Sequence, residues 1–176
     1  MGEVYGFEAE KLLVGVIYHD DVVLKAALDE LVREFGEWDM VSEEYSFSKG
    51  YSTYYDCELG GEGFRRIYSF ERLVDPSRQA EIKEFTNALE KRFSCDTGRQ
   101  INLDPGLMSH GRFMLSTTKN ASFRIPLARG IYTEMTLFYA RGKWQKLLWT
   151  YQDYQSDLVL NFLEKVRKKY LKQRAK

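Results

Sequence analysis

The segment Lys11-Leu-Leu-Val-Gly-Val-Ile-Tyr18 restricts the folds open to this chain more than any other. It is apolar, rich in β-branched residues and without alternation, so it reads as a strand buried on both faces near the middle of a sheet. It is also the longest apolar run, and much too short to cross a bilayer. Asp20 or Asp21 then caps a helix in which Val23, Leu24, Ala27, Leu28, Leu31, Val32 and Phe35 recur at helical spacing, with Gly36 at the terminating position.

The rest of the chain continues the alternation of strand and helix. Trp38 to Phe47 reads as a second strand, and Ser48 to Gly63 as a long loop gathering Gly, Ser and Tyr. Phe64 to Phe70 resumes strand character. Asp75-Pro76 opens a second helix whose buried stripe is Ile82, Phe85, Leu89 and Phe93, ending by Gly98. Arg99 to Leu103 is the next strand. The order strand, helix, strand, strand, helix, strand predicts an α+β fold with a ferredoxin-like βαββαβ core. Further antiparallel strands are expected at Arg112 to Thr118, Ser122 to Leu127, Ile131 to Tyr139 and Lys143 to Trp149. A final helix is expected from Ser156 to Leu171, with Leu158, Phe162, Leu163, Val166 and Tyr170 inside.

A length of 176 residues with 44% hydrophobic content fits one core, so residues 1–176 are expected to form a single domain. Lys plus Arg equals Asp plus Glu at 26 each, which leaves no overall field to attract a polyanion or an anionic membrane. The first residues lack the basic and apolar regions of a signal peptide. Cys57 and Cys95 lie outside any ligand spacing and read as free thiols, so a cytoplasmic location is expected.

The chemistry concentrates between Arg99 and Tyr154. Ala128-Arg129-Gly130 reads as a three-residue hairpin loop, which sets Leu127 opposite Ile131, Ile125 opposite Thr133 and Phe123 opposite Met135 on an apolar face. The other face then holds Arg124 opposite Glu134 and Ser122 opposite Thr136. By the same alternation Asn102 and Asp104 turn away from Ile101 and Leu103, while Ser116 and Thr118 turn away from Phe113 and Leu115. Six polar side chains are thus expected on one side of the sheet: Asn102, Asp104, Ser116, Thr118, Arg124 and Glu134. The alternative is a solvated face carrying a surface Arg124–Glu134 pair. Asp104-Pro105-Gly106 reads as a turn at a strand end.

Other features have simpler readings. His19 and His110 lack a metal-ligand spacing, so a two-histidine zinc site is not expected. Tyr51, Tyr54 and Tyr55 in the Gly-rich loop suit a lid, or a tether covering apolar surface. Asp153 is a candidate helix cap or site member. Ser116-Thr-Thr-Lys119 offers hydroxyls and an ammonium to a phosphate without forming a P-loop. The basic end, from Lys165 to Lys176, complements the dipole of the last helix. Nucleic-acid binding is disfavoured, because the aromatic strand signature of RNA-binding sheets is missing.

The chain resembles the domain-of-unknown-function family 4416 through ordered blocks. These are Lys11 to Tyr18, Phe70-Glu-Arg-Leu-Val-Asp-Pro76, Ile82-Lys-Glu-Phe-Thr-Asn87, Asn102-Leu-Asp-Pro-Gly106, Ser116-Thr-Thr-Lys119, Gly130-Ile-Tyr-Thr-Glu134 and Trp149-Thr-Tyr-Gln-Asp-Tyr154. The resemblance implies no established activity. Similar proteins have been labelled GTP-binding, yet neither Gly-x-x-x-x-Gly-Lys-Ser/Thr nor Asn-Lys-x-Asp occurs here.

These readings lead to an expected role in binding a small anionic or nucleotide-like metabolite. Lys119 and Arg124 would meet negative charge, and Asn102, Ser116 and Thr118 would orient the ligand. Asp104 or Glu134 would accept hydroxyls, hold a metal or act as general base. No cofactor is specified. The competing reading is an interaction or scaffold module, in which Tyr132, Phe138 or Trp149 meets another protein or a second copy in a homodimer.

Overall fold

The Lys11 run forms strand β1 (Glu10–Tyr18), which is buried at every position. The computed structural model, describing residues 2–96 and 98–175, shows why. Helix α1 (Asp21–Phe35) follows β1, and Asp20 caps it by accepting the Val22 amide. The chain continues through β2 (Trp38–Val41), β3 (Tyr45–Ser46), the single-turn helices α2 (Phe47–Gly50) and α3 (Asp56–Leu59), β4 (Phe64–Val74) and α4 (Gln79–Arg92). Next come the short pair β5 (Ser94–Cys95) and β6 (Gly98–Arg99), then β7 (Ile101–Met108), β8 (Arg112–Thr117), β9 (Ile125–Ala128), β10 (Ile131–Ala140), β11 (Lys143–Lys146) and α5 (Asp157–Arg174).

The main sheet runs β11-β10-β8-β7-β1-β4-β2, with β3 beside β4 and β9 beside β10. The stretch β7-β1-β4-β2 is antiparallel throughout and carries its helices as βαββαβ, the ferredoxin-like arrangement the element order implied. The later strands widen the sheet on the β7 side.

Both faces are covered. Leu12, Val14, Val16 and Tyr18 pack with Leu24, Ala27, Leu31 and Phe35 of α1 and with Ile82 and Leu89 of α4. Leu13 turns the other way, into a second core with Val159, Phe162, Leu163 and Val166 of α5. A strand between two helical layers has no polar side, which accounts for the unbroken apolar run.

Several boundaries differ from expectation. The second strand breaks into β2 and β3, and β3 stops at Ser46, which caps α2 by accepting the Lys49 amide. The Ser48 to Gly63 segment holds two helical turns, packed by Phe47, Tyr51 and Tyr55 against Ile17 and Leu59. The hairpin loop is two residues, Arg129-Gly130, both at positive φ as a tight primed turn requires. Ile125 does oppose Thr133, but Ile131 faces Ala128 and a register shift follows. Ser122, Phe123 and Arg124 precede β9 and belong to no ladder. Strand β11 stops at Lys146, short of the expected Trp149.

A fork in the sheet and its cleft

Asp104-Pro105-Gly106 is not a turn. It lies inside β7, where Gly15 faces Asp104, Val14 faces Pro105 and Leu13 faces Gly106. Towards β8 the pairing covers only Gly106, Leu107 and Met108. Continuing that register would set Pro105 against Ser116, and proline has no N–H to donate. The two strands part there. Gly106 sits at the crotch, where a Cβ would come within 2.6 Å of the Met114 carbonyl oxygen. Beyond the crotch, the polar groups of Leu103 are met by side chains of α4: its N–H donates to Glu90 Oε1 at 2.7 Å and its carbonyl accepts from Lys83 Nζ at 2.8 Å.

A cavity of about 650 Å³ occupies the fork, between α4, the diverging strands and the Tyr154 segment. Its charged centre is Arg65 of β4, a buried side chain that sequence reasoning passed over. Arg65 pairs with Asp104 at 3.1 Å and Asp153 at 3.0 Å, and its Nη2 donates to the Tyr154 hydroxyl at 3.2 Å. Burial works against its charge, but Asp153, Tyr154, Tyr45 and Asp104 more than compensate and hold it firmly cationic. The guanidinium needs Gly15 on β1, since a Cβ there would lie 2.4 Å from Nη2.

Of the expected site residues, Asn102, Asp104, Ser116, Thr118, Lys119 and Glu134 all line the cavity. They do not all share one side of the sheet. Glu134 stands opposite Leu115, whose neighbours belong to the α5 core, and Asn102 and Asp104 pair with Ile17 and Gly15 on that same face. Ser116 instead stands opposite Thr133, which accepts a hydrogen bond from Gln79 of α4. It enters from the α4 side through the gap. The expectation of a common side failed because Ile101 and Leu103 point into one core and Phe113 and Leu115 into the other. Thr118 lies just past the end of β8.

Arg124 stands behind the cavity rather than in its lining. Its Nε donates to Glu134 Oε2 at 2.7 Å, and its other nitrogens reach the Lys119 carbonyl at 2.9 Å and the Tyr151 hydroxyl at 2.8 Å. The pair with Glu134 is buried, with side chains only 9% and 1% exposed, so the solvated-surface alternative does not hold. Burial still pushes the Glu134 carboxyl above its ordinary value, with Arg124 opposing the shift and Asp104 adding to it. Glu90 is likewise raised by burial, against the pull of Lys83.

Three buried polar atoms in the cavity wall have no hydrogen-bond partner: Ser116 Oγ, Glu134 Oε1 and Arg65 Nε. Among the described residues, no group of three or more His, Cys, Asp or Glu side chains is placed to hold a metal.

The model of the family described as "Domain of unknown function (DUF4416)" matches residues 8–170. The chain belongs to this family. No curated protein and no solved structure matches it.

In this DUF4416 chain the mouth of the cavity is aromatic and basic. Tyr54 and Tyr55 meet edge to face at 4.9 Å, with Lys119 above the first ring at 5.4 Å and Arg99 above the second at 5.3 Å. Tyr54 is exposed there, whereas Tyr51 and Tyr55 also pack inward on Phe47, as the tether reading expected. Asp153 joins the Arg65 centre, and the cap of α5 is Ser156. The basic C-terminal segment is largely engaged within the chain: Lys169 with Asp39, Lys168 with Glu164, Arg174 with Glu8, and Arg167 over the Tyr139 ring. Cys57 and Cys95 are exposed. Among the described residues no helix is long and apolar enough to cross a membrane.

Proposed function

We propose that this protein binds a small polar metabolite, bearing hydroxyl and anionic groups, in the cleft between β7 and β8. The observation that carries the reading is the set of unpartnered atoms in the wall. A buried donor or acceptor without a partner costs about 1–3 kcal/mol, and three such atoms belong to residues that line one cavity of ligand size. A hydroxyl-bearing ligand would satisfy Glu134 Oε1 and Ser116 Oγ. Asn102 and Thr118 orient it, Lys119 meets negative charge, and Arg124 acts indirectly by holding Glu134 in place.

Were chemistry to follow binding, Asp104 and Glu134 are the groups suited to move a proton. The raised pKa of Glu134 suits a carboxyl that gives up its proton less readily than a solvated one. A thermal-shift and calorimetric screen of nucleotides, sugar phosphates and divalent metals tests the binding role. A true ligand at a hundred times its dissociation constant should add about 2.7 kcal/mol to the wild type, and clearly less to Ser116→Ala or Glu134→Gln. A ligand that stabilises both variants as much as the parent would remove the cleft from consideration.

A further inference from the structure

The cleft is electrically graded from floor to mouth. Its inner wall carries Asp104, Glu134, Asp153 and Glu90, and the buried cations facing them are already committed: Arg65 to two carboxylates, Lys83 to the Leu103 carbonyl. Glu134 is likewise held by Arg124 and Glu90 by Arg99, so an anion placed there would find no uncommitted cation in a poorly solvated space. At the mouth the balance reverses. Lys119 and Lys91 line the cavity and make no ion pair among the described residues, and Thr117 and Thr118 line it as well. Arg99, by contrast, is held by Glu58 at 2.5 Å and Glu90 at 3.2 Å.

Resting on the binding role proposed above, we infer that the ligand is a phosphate monoester of a polyhydroxylated compound, seated with a fixed polarity. Its hydroxyls point inward to Glu134, Asp104 and Ser116, and its phosphate remains at the mouth between Lys119 and Lys91. Carboxylates accept from sugar hydroxyls as strong charge-assisted bonds. Two ammonium groups without a carboxylate partner among the described residues, one of them over the Tyr54 ring, complement a phosphate dianion. The unpartnered Ser116 Oγ and Glu134 Oε1, both nine-tenths buried or more, mark the hydroxyl-binding end independently of the charge gradient.

Calorimetry with ribose, ribose 5-phosphate, AMP and inorganic phosphate tests this on the full chain, alongside Lys119→Ala, Glu134→Gln and Ser116→Ala. Ribose 5-phosphate or AMP should bind at least about tenfold more tightly than ribose, equivalent to about 1.4 kcal/mol. Lys119→Ala should shrink that advantage, and Glu134→Gln should weaken every sugar-containing probe. Either phosphate ester supports the inference, and the ratio of AMP to ribose 5-phosphate shows whether a base at the tyrosine mouth contributes. Equal binding of ribose and its phosphate, tight binding of inorganic phosphate alone, or no binding of either ester at millimolar concentration overturns the inference. Ester binding that ignores Glu134→Gln and Ser116→Ala together would overturn the cleft reading itself. Urea unfolding of each variant separates lost binding from lost folding.

Discussion

Two buried charge clusters sit at opposite ends of β1 and β4, and they are built on different terms. At one end Lys11 is fully buried, donating to Asp39 at 2.5 Å and to Gln173 Oε1 at 2.8 Å. Asp39 also accepts from Ser69 and pairs with Lys169 of α5 at 3.1 Å. Each charged group in this cluster has its partners, and it fastens the last helix to the sheet. At the other end Arg65, Asp153 and Glu134 are as deeply set, with the half-buried Asp104 beside them, but Arg65 and Glu134 leave atoms unpaired at a cavity wall. Complete pairing suits a structural pin, whereas pairing left open beside a cavity is what the proposed binding role draws on.

The largest effect should come from breaking the pin. Asp39→Ala strands a buried ammonium, and a loss of about 3–5 kcal/mol is expected in urea unfolding. A loss below ~1 kcal/mol would mean that the cluster is not the closed unit described here. Gly15→Ala intrudes on the open cluster instead. Its new methyl would meet Arg65 Nη2 and the Tyr154 hydroxyl, so a cost of about 1–3 kcal/mol from overpacking is expected, together with weaker ligand binding.

The pH dependence should separate the clusters by sign. Burial raises Asp39, but hydrogen bonds from Lys11, Ser69 and Lys169 outweigh it and hold the carboxyl below its ordinary 3.8. Its contribution is therefore present above that value and fades as pH falls through the lower folded one. Glu134 is held above its ordinary 4.5, so its contribution is complete below 4.5 and is lost as pH rises through the folded value. The stability of the wild type relative to Glu134→Gln should thus decline as pH rises from about 4.5 towards neutrality. An increase over that range would contradict the assignment.

The pin and the cleft differed in how far they could be read from sequence. The ferredoxin-like core was legible because β1, α1 and α4 carry strong periodic signals and the connections leave few topologies. Asn102, Asp104, Ser116, Thr118, Lys119 and Glu134 were legible as polar positions near strands, and all six reach one cavity. What alternation could not supply was a single direction called inward, since the two helical layers give this sheet two cores. Asp104-Pro105-Gly106 misled for a related reason. Its residues suit a turn, and only the apolar beat of Ile101, Leu103 and Leu107 continuing across it hinted at a strand. Arg65 and Lys11 were hidden because a buried cation in an apolar strand looks like any strand residue until its partners are known. Those partners lie far along the chain, at Asp104 and Asp153 for Arg65 and at Asp39 and Gln173 for Lys11.

The most direct test of the contrast uses one chemical change at each end. Ser69 and Ser116 are both buried, at 0% and 4% exposure, but the Ser69 hydroxyl donates to the Asp39 carboxylate while Ser116 Oγ has no partner. Equilibrium urea unfolding of Ser69→Ala should show a loss of about 1.5–3 kcal/mol. Ser116→Ala, measured without ligand, should be as stable as the parent or up to about 1 kcal/mol more stable. Equal destabilisation by the two substitutions would mean that the cleft hydroxyl is satisfied within the fold, and the case for a waiting ligand would fail.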